Sequence, residues 1–153
     1  MDQNSKTDAL KVCSTLHLIA SVTCFISVFL PYVNVINANF SLANFYVNEN
    51  NKEYGYLILL LGASGLAFAF SLAKKTEWGI CGAVILITER YSTHEIWEGK
   101  NGTELSGFEK ALYKVLVSKE IGYYSIIIGA VVLILTGVVY SCMVRNENRL
   151  NNL

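Results

Sequence analysis

The chain has 153 residues, of which 53% are hydrophobic and only 16% charged, with a mean hydropathy of +0.41. That is too apolar for a water-soluble domain of this length, and predicts a membrane-embedded protein. The net charge is zero and no basic cluster exceeds two residues, which excludes the electrostatic footprint of a nucleic-acid binder.

All charged residues lie outside four windows, Val12–Val33, Tyr54–Ala73, Trp78–Thr88 and Ile121–Val144. Crossing about 30 Å of hydrocarbon takes roughly 20 helical residues, which the first, second and fourth windows supply. The third is too short unless the helix continues into polar sequence. Trp78 and Trp97 bracket an interval of spanning length, as two interfacial anchors would, and a helix between them carries Glu89, Arg90, His94 and Glu95 in its second half. The expected fold is thus an all-α membrane protein, a four-transmembrane-helix bundle forming a single membrane domain over 1–153. Its spans fall at about 12–33, 54–73, 76–97 and 121–144, with outward loops over 34–53 and 98–120.

Orientation follows from Lys and Arg density. The N-terminal tail, the 74–77 turn and the C-terminal tail hold Lys6, Lys11, Lys74, Lys75, Arg145 and Arg149 in few residues, while the opposite side spreads the same number over a longer stretch. The positive-inside bias places both termini in the cytoplasm, consistent with an even number of crossings. A cleaved signal peptide is the competing reading of the first window. Its uncharged run exceeds a typical signal core, and Phe29-Leu30-Pro31-Tyr32-Val33 lacks a small-residue cleavage pattern, so the first helix is expected to stay attached.

Pro31 suits the end of the first helix. Beyond it, Val33, Val35, Phe40, Leu42, Phe45 and Val47 carry a period-two signal broken by Asn-rich turns, which predicts a short extracellular β-hairpin in loop 1. The second span holds the small residues Gly62, Ala63, Gly65, Ala67 and Ala69, with Ala63-x-x-x-Ala67 and Gly65-x-x-x-Ala69 as small-xxx-small pairs. In the fourth, Gly122, Gly129 and Gly137 follow one stripe with Ala130. Lipid gives no hydrophobic drive for helix association, so close backbone approach is what holds such helices together. These two faces are expected to pack against each other within the chain, with packing between subunits as the alternative. In loop 2, Asn101-Gly102 is a turn, and Ser106-Gly107-Phe108-Glu109 matches a helix capping box. Phe108, Leu112, Val115 and Leu116 then give an amphipathic helix, capping the bundle or meeting lipid or a partner. Asn39-Phe40-Ser41 and Asn101-Gly102-Thr103 are glycosylation sequons that count only in a eukaryotic secretory pathway.

Ionisable residues inside a membrane are expensive and mark functional sites by default. Glu89, Arg90 and His94, with His17 in the first span, are therefore the candidate polar membrane site. The competing view makes the first three solvated residues beyond a helix ending near Thr88. His17 in turn reads as a side chain bonded to a neighbouring helix. Cys13, Cys24, Cys81 and Cys142 all lie in apolar windows and form no CxxC, which suits packing residues rather than a disulfide framework. No zinc-protease, nucleophile-elbow, phosphate-loop or His/Cys ligand spacing occurs, so no catalytic residue, metal or cofactor is implied and the chain is not expected to be an enzyme.

Phe29-Leu30-Pro31-Tyr32-Val33 closing the first helix, and Ile121-Gly122-Tyr123-Tyr124 leading to Ile128-Gly129 in the last, resemble a broad group of small four-helix bacterial membrane proteins. The resemblance implies the topology, with a basic turn between helices two and three, and a bacterial plasma membrane location. It transfers no site residue. The layout is also similar to claudin-type tetraspan proteins by architectural analogy, though their paired extracellular cysteines and tryptophan signature are missing. The expected function is a non-enzymatic integral membrane protein acting through protein or lipid contacts, as an accessory, immunity-type or scaffold subunit with a protein partner or its own copies. The alternative is an oligomeric pore or small-solute or ion transporter with a polar mouth on the third helix.

Overall fold

The computed structural model describes residues 3–35, 38–43, 54–73, 78–98 and 117–150. They form four helices, α1 (Gln3–Ser27), α2 (Tyr54–Leu72), α3 (Trp78–Glu98) and α4 (Ile121–Leu150), and three strands, β1 (Pro31–Val35), β2 (Ala38–Ser41) and β3 (Val117–Lys119). Three helices are long and apolar enough to cross a membrane, over Thr7–Ser27, Gly55–Leu72 and Ile121–Asn146. The fourth, α3, is of similar length but carries polar residues in its second half.

Each helix packs against its two neighbours in a ring ordered α1, α2, α3, α4, and among the described residues the diagonal pairs barely touch. Successive helices run in opposite directions, the up-down arrangement that short connections favour. The core repeats at helical spacing on every member. Ala20, Cys24 and Val28 come from α1, Leu60, Ala63 and Ala67 from α2, Cys81 and Ile85 from α3, and Ile126, Ala130 and Leu133 from α4.

The expectation that the small faces of the second and fourth spans meet is not met, because those helices lie across the ring from each other. Gly129 of α4 instead faces α1, where a β-carbon built on it would lie 2.6 Å from Cys24 Sγ and 3.3 Å from the Ala20 carbonyl oxygen. On its other side α4 meets α3, and a β-carbon on Gly82 would come within 2.8 Å of the Ala130 carbonyl oxygen. Backbones this close leave room for hydrogen alone.

The first helix ends earlier than the 12–33 span predicts. Phe29 N–H donates to the Ile26 carbonyl at 2.9 Å and Leu30 N–H to that of Ser27 at 3.3 Å, a tightened last turn. Pro31 then opens β1, so Pro31–Val33 is strand rather than helix. β1 and β2 pair antiparallel, as a hairpin requires. β3, from the end of loop 2, adds to the other edge of β1 and gives the order β2-β1-β3. That third strand has no counterpart in the sequence reading, since three residues are too few to show alternation. The predicted amphipathic helix with Phe108, Leu112, Val115 and Leu116 lies outside the described residues, as does the Asn101 sequon, whereas Asn39 is exposed on β2.

Pro31 opposes Ser41 while Val33 opposes Phe40, so Tyr32 is an extra residue in β1. This bulge lets Tyr32 and Val33, neighbours that ordinary alternation would send to opposite faces, both be buried against the bundle.

Replacing Gly129 by Leu should destabilise the purified protein by about 1–3 kcal/mol through overpacking. Gly62→Leu meets open space and should change stability by no more than about 1 kcal/mol, the scale of helix propensity. Thermal unfolding of both variants in detergent checks the contrast.

Candidate functional site

Two buried polar clusters occupy the bundle, one near each end of the apolar core. The outer one forms where β1 meets α3 and α4. Glu89 is only 4% exposed, and the Tyr32 hydroxyl donates a hydrogen bond to its Oε1 at 2.9 Å. Thr88 and Ser92, on the same helix, are buried beside it. Tyr123 of α4 meets the Tyr32 ring edge-on, with centroids 5.6 Å apart. Its own ring lies under the Lys119 ammonium, 4.0 Å from the centroid, and Lys119 also donates to the Tyr123 hydroxyl at 2.8 Å. A carboxylate taken out of water needs such charge-assisted hydrogen bonds, since leaving one unmet is strongly destabilising.

The helix continues past Thr88 to Glu98, so Glu89 and Arg90 are consecutive helical residues pointing about 100° apart. Glu89 faces the interior while Arg90 is exposed. The two do not converge on one polar mouth. His94 also lies on α3, but its side chain is outside the described residues.

His17 anchors the inner cluster. It is fully buried, and its Nδ1 lies 3.0 Å from Thr136 Oγ1 on α4, while the Ala67 backbone of α2 faces the same ring. Thr136 Oγ1 also lies 2.7 Å from the Val132 carbonyl. A neutral imidazole fits in either tautomer. Nδ1–H donates to Oγ1 when the hydroxyl proton goes to Val132, and Oγ1–H donates to Nδ1 otherwise. This side-chain pair joins α1 to α4. The Cys13 thiol, one turn earlier, donates to the Thr136 carbonyl at 3.5 Å, and Ser71 of α2 donates to the Ser14 carbonyl at 3.5 Å.

Leu60, Ile85, Ile126 and Leu133 are fully buried in the same core, one or two from each of three helices, together with the polar Ser21, Ser27 and Ser64. All four cysteines are free thiols, Cys13, Cys24 and Cys81 buried and Cys142 exposed. No group of three His, Cys, Asp or Glu side chains suited to a metal ion occurs among the described residues.

The small residues of α2 divide. Ala63 and Ala67 are buried, whereas Gly62, Gly65 and Ala69 face outward, and a β-carbon on either glycine would have nothing within 4 Å. Gly122, Gly129 and Gly137 of α4 are buried, Gly122 beneath the Leu30 and Pro31 carbonyls and Gly137 against Gly79 of α3.

Sequence reasoning missed Tyr32, Thr136, Gly79 and Gly82. Tyr32 sits where the bulge inverts its facing. Thr136 offered a usable signal, a lone hydroxyl in an apolar run. Gly79 stands in a small-xxx-small pair with Ala83, a signal the sequence offered, and Gly82 lies at i+3 from it. No family model matches the chain, and no curated protein or solved structure matches it either.

Replacing Thr136 by Val keeps the shape but leaves the imidazole without its α4 partner. It should destabilise the bundle by roughly 1 kcal/mol, the scale of interhelical hydrogen bonds between membrane helices, with a lowered midpoint in thermal or denaturant unfolding as the readout.

Proposed function

We propose that this is a four-crossing integral membrane protein of the bacterial plasma membrane type, with both termini cytoplasmic, that works by contact with another protein chain rather than by catalysis. The observation that carries the reading is an apolar belt running around the whole ring. Leu16, Ile19 and Ile26 of α1, Ile58, Leu59 and Leu66 of α2, and Ile128, Leu135 and Val138 of α4 are all exposed. Water-soluble monomers rarely carry apolar patches beyond a few hundred Å², and such a belt calls for lipid or protein cover.

The belt includes α3. Its Ile80 is 67% and its Ile87 58% exposed, while Thr88, Glu89 and Ser92 are turned into the bundle. A helix that hides its polar side chains among its neighbours and shows isoleucine outward is fit to cross a bilayer despite its composition. Arg90, exposed on the outer half, reaches toward the headgroups along its aliphatic stem. Crossing by α3 gives the even number that the positive-inside bias requires.

Contact rather than catalysis or conduction is the reading supported by the site. Its carboxylate accepts a hydrogen bond from Tyr32 of the sheet, and Thr88 and Ser92 are buried with it. The sheet at the outer end and the open Gly62, Gly65 and Ala69 face of α2 are the surfaces left for a partner.

In native-like nanodiscs the wild-type protein should appear by native mass spectrometry as a self-assembly or with a stoichiometric partner. Gly62→Leu with Gly65→Leu should reduce that assembly at least several-fold while leaving stability within about 1 kcal/mol. A lone monomer in wild type, with nothing co-purifying, would sink the contact reading.

A further inference from the structure

Resting on the four-crossing reading, we propose that the Tyr32–Glu89 hydrogen bond is a latch that holds the outer half of α3 inside the bundle and couples it to the exterior sheet. Three of the four helices are apolar enough to cross a membrane by composition, and α3 is the exception. Its outer half, carrying Thr88, Glu89 and Ser92, is stable there only while those groups stay covered and bonded.

One bond that does this for Glu89 comes from outside the helical ring. Tyr32 is the bulged residue of β1, and the bulge turns its side chain down into the bundle instead of along the sheet. Its backbone is fixed from the other side, because Glu120 N–H donates to the Tyr32 carbonyl at 3.0 Å. Val33, next to it, pairs with Phe40 of β2 and Lys119 of β3. Any displacement of the sheet therefore moves the Tyr32 hydroxyl relative to Glu89. Once that hydrogen bond is lost, the covered carboxylate is held less well, gains by moving toward water at the outer surface, and the helix carrying it shifts outward. A partner that pulls on the sheet thus acts on a membrane helix through one side chain.

The test is reaction of Ser92→Cys with a membrane-impermeant maleimide added to intact cells, with the unsubstituted chain as background. Ser92 is fully buried, so labelling should be slow while Tyr32 is present. Tyr32→Phe should speed labelling about tenfold, the factor expected for loss of one hydrogen bond to a charged group. Adding Glu89→Leu to Tyr32→Phe should return it to the original rate, because no buried carboxylate remains to drive the shift. Labelling within twofold of wild type in Tyr32→Phe overturns the latch. So does equal acceleration in the double variant, which would mean general loosening.

Ser118→Cys and Asn146→Cys, both at exposed positions, report the frame. Outside labelling of the first and labelling of the second only after permeabilisation are expected in every variant. If the wild-type chain violates that pattern, the crossing model fails and takes the latch with it. If the pattern holds and Ser92→Cys is indifferent to Tyr32, the latch alone fails.

Discussion

The backbone contact of α4 with both its neighbours is the constraint on which the remaining structure depends. With Gly129 set against α1 and with Gly82 of α3 set against Ala130, the last helix is wedged between two others at distances that side chains would not permit. Apolar side chains gain nothing by leaving lipid for one another, so van der Waals contact at short range has to supply the association energy. Seating α4 this deeply also brings Thr136 within reach of His17, and brings the start of the helix at Gly122 beneath the corner where α1 turns into β1. The sheet is held by the same placement, since β3 runs directly into α4.

Polar groups then mark where the wedge is completed. His17 bridges α1 to α4 at one level, and Tyr32 and Glu89 bridge the sheet to α3 at another. Several other core hydroxyls bond back to their own helices, as Ser27 does to the Thr23 carbonyl and Ser64 to that of Leu60. Such bonds satisfy a buried donor without needing a neighbour. Others cross between helices, as Ser71 does to the Ser14 carbonyl and the Cys13 thiol to that of Thr136.

The helices were legible in the sequence because charge exclusion over about 20 residues is a strong signal that tertiary context seldom overrides. Pro31 pointed to the end of the first helix, yet Pro31–Val33 was read as part of the span because Tyr32 and Val33 are as apolar as the residues before them. Their burial comes from a bulged strand, which hydrophobicity does not distinguish from a helix end. Glu89 was picked out by its expense in a membrane, but its partner could not be, since a tyrosine 57 positions earlier gives no local sign of where its hydroxyl points. The facing of the small residues in α2 was equally hidden. Ala63 and Gly65 are two apart and turn in roughly opposite directions, and which of them meets a neighbour depends on the ring order, which spacing does not encode.

That ring order has an electrical consequence. Every helix is flanked by two that run the opposite way, so their macrodipoles oppose one another around the ring and the bundle has almost no net dipole along its axis. A transmembrane voltage acts on charge carried through the field, about 2.3 kcal/mol per elementary charge per 100 mV. Glu89 and Arg90 of α3 are adjacent and opposite in sign, and the other charged residues of the described helices, Lys6, Asp8, Lys11, Glu95, Glu98, Arg145, Glu147 and Arg149, lie toward the helix ends. In the membrane setting proposed above, opposed helices of this kind leave the potential little dipole to act on.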